Sequence, residues 1–249
     1  MTAAVLREPN NIVLQDVPIP QIGPSDVLIK VRFCGICGSD LHSFTSGMFV
    51  DPGQIMGHEF SGEIAEVGES VLDLRRGDRV TGFSAGVCGE CASCERGEAI
   101  LCAELFKNST GYGLAGAFAE YVKIERAVVG ESVHKLDDTI NNIQGAMVEP
   151  IAVGVSAVTQ AQVKPNDKVV VLGAGMIGNA CLQAAKAVGA SEVIVVEVSD
   201  TRLRLAKDCG ADDVFDARTG DALRWVMDKF GEAPYHFQIR WRSLWQRRL

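Results

Sequence analysis

The hydrophobic period of the chain changes near residue 165. Before that point apolar and polar residues alternate in short runs: Val27, Ile29, Val31 and Phe33 interleave with Lys30 and Arg32, and Pro18, Pro20, Gly23 and Pro24 punctuate the approach. A period of two bordered by proline and glycine marks half-buried antiparallel strands. Residues 62–68, 79–83 and 117–124 repeat the habit, so this part of the chain reads as mainly β. Residues 142–163 read as a largely helical connector, and Pro165-Asn166-Asp167 marks its end.

Beyond that boundary Lys168 is followed by Val169, Val170, Val171 and Leu172, an all-apolar run that fits a strand buried on both faces. Gly173-Ala174-Gly175-Met176-Ile177-Gly178 follows at once, and Ile177, Cys181, Ala184, Ala185 and Val188 then recur at helical spacing up to Gly189. A second apolar strand at 193–196 ends at Glu197. Strand, Gly-x-Gly-x-x-Gly, helix, strand and acidic residue in that order form the dinucleotide fingerprint in its proper context. Gly173, Gly175 and Gly178 allow the tight turn and close backbone approach, the helix N-terminus faces the pyrophosphate, and Glu197 can accept the ribose hydroxyls. A carboxylate there repels a 2′-phosphate, so the expected cofactor is NAD rather than NADP. A helix at 201–209, a short strand at 214–215 and a helix ending near Phe230 continue the pattern.

The chain has 249 residues, and 47% hydrophobic content suffices for one large or two ordinary packed domains. No run of eighteen apolar residues occurs, and the first residues lack the basic and apolar regions of a signal peptide. Neither a membrane span nor export is expected, and the cytoplasm is the expected compartment. A net charge of −8 argues against nucleic acid or an anionic membrane surface as partner.

Cysteine is where composition changes the picture most. Of eight cysteines, six cluster at Cys34, Cys37, Cys88, Cys91, Cys94 and Cys102. Cys88, Cys91, Cys94 and Cys102 lie in one glycine-containing loop, and four thiolates close a tetrahedral zinc shell with no open position, a structural site. An iron–sulfur cluster is the rival occupant. The other pair lies in Cys34-Gly-Ile-Cys37-Gly-Ser39-Asp40-Leu-His42, with Gly57-His58-Glu59 downstream. Thiolate, imidazole and carboxylate are the donors of a catalytic zinc, which needs three protein ligands and an open position.

Together GICGSDLH, GHEFSG, GDRV, the four-cysteine lobe, FAEY, VEP, VVVLGAGMIG and VVEVSDTR carry a resemblance that runs from the N-terminus to about Pro234. The chain resembles the zinc-containing medium-chain dehydrogenases, nearest the polyol branch with sorbitol and 2,3-butanediol dehydrogenases. The resemblance implies an α/β protein: a mainly β GroES-like catalytic domain over 1–155 with the zinc lobe near 88–102, and a partial Rossmann domain over 156–235. It implies two zinc ions per chain, one catalytic and one structural, with NAD as hydride acceptor and a small alcohol or polyol as substrate.

By the same resemblance Cys37 and His58 are catalytic zinc ligands. Glu59 is a direct ligand in some members and an outer residue in others, and Glu149 holds or touches the zinc-bound water where alcohol dehydrogenases place a cysteine ligand. Asp40 orients the histidine ligand, Ser39 and His42 pass the alcohol proton outward, and Ile177 and Arg202 contact NAD. Family members form homo-oligomers through late strands of the nucleotide domain.

Residues 236–249 break the pattern. A fourth strand beside the first should be continuously apolar, whereas Phe237, Ile239 and Trp241 alternate with Gln238, Arg240 and Arg242, and no acidic residue follows Glu232. The expectation is a truncated or frameshifted chain with a basic tail outside the family pattern and an open edge on the first strand of the nucleotide domain. Besides the NAD-dependent oxidoreductase, a catalytically inactive zinc-binding fragment is therefore a second expected reading.

Overall fold

The computed structural model describes residues 1–83, 86–231 and the backbone of 236–237. Two compact units divide between Glu149 and Pro150.

The first unit opens with β1 (Thr2–Glu8) and β2 (Asn11–Asp16), an antiparallel pair of their own. Then come β3 (Val27–Gly35), α1 (Gly38–Ser46), β4 (Glu59–Val67), β5 (Arg79–Gly82), the short α2 (Ala92–Glu95), β6 (Tyr121–Ile124), β7 (Val133–Lys135) and α3 (Asn142–Ala146). A five-stranded sheet takes the order β6-β3-β4-β5-β7, with every pairing antiparallel. Its core gathers Val27, Ile29, Phe60, Ile64, Val80, Val122, Ile124 and Val133. The period-two reading holds for this half, with two differences. Val27, Leu28 and Ile29 are all buried, because β3 is a central strand and slips register by a bulge at Leu28/Ile29. α1 was hidden by the strand habit around it. Its N-terminus is closed by the Asp40 carboxylate, which accepts the Cys37 N–H at 2.8 Å, and its C-terminus by Gly47 at φ 70°.

The second unit follows the first turn of α4 (Val148–Gln160) and contains β8 (Lys168–Leu172), α5 (Met176–Val188), β9 (Glu192–Glu197), α6 (Asp200–Asp208), β10 (Asp213–Asp216), α7 (Ala222–Phe230) and β11 (His236–Phe237). The sheet is parallel in the order β10-β9-β8-β11. Both faces are covered. Val169, Val171, Val193 and Val195 pack with Val158, Leu182, Ala185 and Ala206 on one side, and Val170, Ile194 and Val196 pack with Val226 and Phe230 on the other. The unbroken apolar runs follow from that two-sided burial.

Two expectations change. The expected boundary at 155/156 falls inside α4: Glu149 belongs with the carboxylates of the first unit, whereas Gly154 lies against Ala180 and Val158 joins the second core. The open edge on β8 is also corrected, since the backbone of 236–237 pairs with Val169 and Val170 in parallel register. Main-chain pairing needs no particular side chain, so an apolar run is not required for a strand of two residues. The rest of the expected basic tail, 238–249, lies outside the described residues. Among the described residues no helix is long and apolar enough to cross a membrane.

Candidate functional site

β3 and β4 pair so that Gly35 faces Glu59 and Cys34 faces Phe60. Cys37 follows β3 at the entry to α1 and His58 precedes β4, so this register brings together residues remote in sequence. The ligand atoms of Cys37, His58 and Glu59 lie within 4.8 Å of one another. His58 and Glu59 are buried and Cys37 is half-buried.

Burial pushes the Cys37 thiol and the Asp40 and Glu59 carboxyls above their ordinary values and holds the His58 imidazole below its own. Glu149, in the first turn of α4, is pushed up to about 7 by burial and then by the charges of Glu59 and Asp40. Acidic groups crowded out of water around one imidazole form the donor set that a divalent cation neutralises. His58 supports this fit: its Nδ1 has no hydrogen-bond partner among the described residues, with Asp40 Oδ1 3.8 Å away, and its Nε2 is 3.5 Å from the Tyr112 hydroxyl. A buried imidazole so loosely partnered is available as a ligand. Glu149 stays outside the three-atom group, close enough to feel its charge.

Ser39 and Asp40 are buried on α1, and His42 lies three residues after Ser39 on the same helix, half-buried. Ser39 Oγ pairs with Tyr112 Oη at 2.9 Å. Tyr112 was not among the expected site residues. Its ring lies over His58, centroids 5.0 Å apart, and meets the Phe106 ring edge-on at 5.3 Å, while Phe106 stacks on Phe49. Burial pushes its phenol up to about 12, so it stays neutral. The signal that could have found it is weak: a tyrosine between Gly111 and Gly113, with Gly111 at φ 81°. A Cβ at Gly111 or Gly116 would run into the Gly57 backbone, so the loop carrying Tyr112 is seated directly on the peptide that precedes His58.

The cysteine lobe is built differently. Cys88 Sγ lies 3.6 Å from Cys102 Sγ and 3.9 Å from Cys94 Sγ, and Cys91 lies 3.6 Å from Cys94. Four sulfurs around one zinc at 2.3 Å are about 3.8 Å apart, whereas a disulfide is about 2 Å. The spacing fits a shared metal. The backbone N–H of Ala103 and then that of Cys94 hold the Cys91 thiol down to about 6.

In the second unit Gly173, at φ 92°, turns the chain out of β8, and a Cβ at Gly178 would strike the Gly173 carbonyl. Gly175 occupies the N-cap of α5 with no side chain to close it, and Met176, Ile177 and Gly178 form the first turn that follows. Glu197, buried at the end of β9, accepts the Ala174 N–H at 2.8 Å and those of Val198 and Ser199 at 2.6 and 3.2 Å. Arg202 Nη1 is 3.9 Å from Glu197 Oε2, and its side chain is exposed.

Comparison with known proteins points the same way for both units. The Alcohol dehydrogenase GroES-like domain family matches residues 23–137 and the Zinc-binding dehydrogenase family residues 177–239, past the expected end of the resemblance at Pro234. Sorbitol dehydrogenase of Bacillus subtilis (strain 168) is 37% identical over 230 residues, covering 91% of this chain and 64% of that protein. The crystal structure of 2R,3R-butanediol dehydrogenase from Bacillus subtilis is 33% identical with a TM-score of 0.77, covering 92% of this chain and 67% of that one. A structure named as a zinc-binding dehydrogenase of Sinorhizobium meliloti 1021, bound to NADP, is 35% identical with a TM-score of 0.83, covering 90% of this chain and 64% of that one. The chain thus spans about two thirds of the length of these relatives.

Proposed function

Since the chain belongs to the zinc-containing medium-chain alcohol and polyol dehydrogenases, we propose that it serves an oxidoreductase that transfers hydride from a polyol, vicinal diol or secondary alcohol to NAD. The observation that carries the reading is the convergence of the half-buried Cys37 with the buried His58 and Glu59. Cys37, His58 and Glu59 hold the catalytic zinc, with Glu149 beside them, and Cys88, Cys91, Cys94 and Cys102 hold the structural one. When bound, zinc supplies the Lewis acid that acidifies an alcohol hydroxyl, and NAD supplies the hydride acceptor.

The chain's own residues do the rest. Asp40 closes the first turn of α1 and sets its carboxylate 3.8 Å from His58 Nδ1, so one side chain serves both the helix start and the charge beside the histidine. The Ser39 hydroxyl, held by Tyr112, takes the substrate proton, and His42 on the same helix passes it outward. The first turn of α5 receives the pyrophosphate, and Glu197 favours free ribose hydroxyls over a 2′-phosphate. NAD is therefore the proposed cofactor, although one of the relatives binds NADP.

The test is zinc per chain by elemental analysis, NAD binding by calorimetry, and turnover on a panel of polyols and vicinal diols. Two zinc ions, measurable NAD affinity and diol or polyol turnover are expected. Two zinc ions with neither NAD binding nor turnover would overturn the oxidoreductase reading and leave a zinc-binding module.

A further inference from the structure

Ala174 stands between the first two glycines of the dinucleotide loop and is held at both ends. Its N–H donates to Glu197 Oε2 at 2.8 Å, and its carbonyl accepts from Asn179 Nδ2 at 2.8 Å. The same Asn179 nitrogen lies 3.2 Å from the Gly175 carbonyl. Two carbonyl oxygens around one amide nitrogen fix which way the side chain points.

Asn179 is an odd choice on stability alone. It is 6% exposed in the first half of α5, where asparagine is a poor helix former, and its Oδ1 has no hydrogen-bond partner among the described residues. A buried acceptor without a donor is destabilising, and an apolar side chain would remove the penalty. What only the amide supplies is a donor to the two loop carbonyls. With those carbonyls drawn toward α5, the loop peptides keep one orientation. Glu197 does the complementary task from β9, where its two oxygens are already engaged by the N–H groups of Ala174, Val198 and Ser199.

We propose that Asn179 and Glu197 brace Ala174 from opposite sides, so that the glycine loop is set for a dinucleotide before one arrives. Asn179 is then a positioning residue, and Glu197 has a second task besides facing the ribose. A consequence is that replacing Glu197 does more than relax the choice between cofactors: it also loosens the loop that either cofactor needs. The inference rests on the dinucleotide reading above.

The test uses the full chain as wild type, Asn179→Leu, Asn179→Ser, Glu197→Gln and the Asn179→Leu/Glu197→Gln double variant. NAD affinity is read by calorimetry, amide exchange of residues 173–178 by mass spectrometry without ligand, and thermal unfolding in parallel. Asn179→Leu should weaken NAD binding about tenfold and speed loop exchange, with the unfolding midpoint unchanged because the unpaired acceptor is lost together with its donors. Asn179→Ser should recover part of the affinity, since a hydroxyl reaches the carbonyl four residues back. The double variant should lose less than the product of the two single losses, because both act through Ala174. Loop exchange equal to wild type in Asn179→Leu overturns the brace, as does a general fall in the unfolding midpoint with exchange faster throughout the unit. If the wild type takes up no NAD, the dinucleotide reading fails, and the exchange rates alone decide the brace.

Discussion

The two groups of candidate metal donors are assembled in opposite ways. In the lobe all four donors come from one loop within Cys88–Cys102, and their spacing along the chain already defines the tetrahedron. In the other cluster the donors come from a helix N-terminus and a strand entry, and only the Gly35–Glu59 pairing brings them together. A local cluster stabilises its own loop and leaves no coordination position open. A cluster assembled across the sheet inherits the sheet's rigidity, and its three mixed donors lie beside the Ser39–Tyr112 hydroxyl pair.

Removing one donor from each cluster breaks this contrast most sharply. His58→Ala should lower turnover on the order of a thousandfold or more while the lobe keeps its metal, as read by steady-state rates and zinc content. Cys94→Ser should do the reverse: the lobe loses its metal and becomes the first site of proteolysis, with turnover kept within about tenfold. A folded Cys94→Ser protein with full zinc content would show that the four sulfurs do not share an ion.

A smaller effect separates ligand from support. Asp40→Asn should weaken metal retention at the mixed cluster by roughly 10- to 100-fold in chelator competition, leaving the lobe untouched. The smallest tests the hydroxyl pair. Tyr112→Phe should lower kcat about five- to tenfold with zinc content unchanged, since one hydrogen bond to Ser39 is lost. An unaltered kcat would remove Tyr112 from the proton path and leave it a packing role against His58.

Legibility in the sequence followed the same divide. The lobe, the glycine loop and the buried strands β8 and β9 could be read because their chemistry or period is local. Cys37, His58 and Glu59 could be named from motif resemblance, but no pattern in the chain states that Gly35 faces Glu59. Tyr112 went unseen because its partner Ser39 is 73 residues away and no period connects them. Asn179 went unseen because a polar residue four positions into a helix reads as surface, until its amide is found between two loop carbonyls. β11 was missed for the opposite reason: its side chains argued against a central strand, while the pairing itself is made by the main chain.

The seating of the Tyr112 loop bears on how such a chain diversifies. Gly111 and Gly116 lie so close to the Gly57 backbone that neither position has room for a methyl group. The segment is pinned at two points and has fixed length between them, so an insertion or deletion there would shift the peptide that carries His58. Tyr112 between them is held by its side-chain contacts to Ser39, His58 and Phe106 and not by a backbone clash. Change in this loop would therefore come by exchange of single side chains within an unchanging frame, a landscape of short mutational steps.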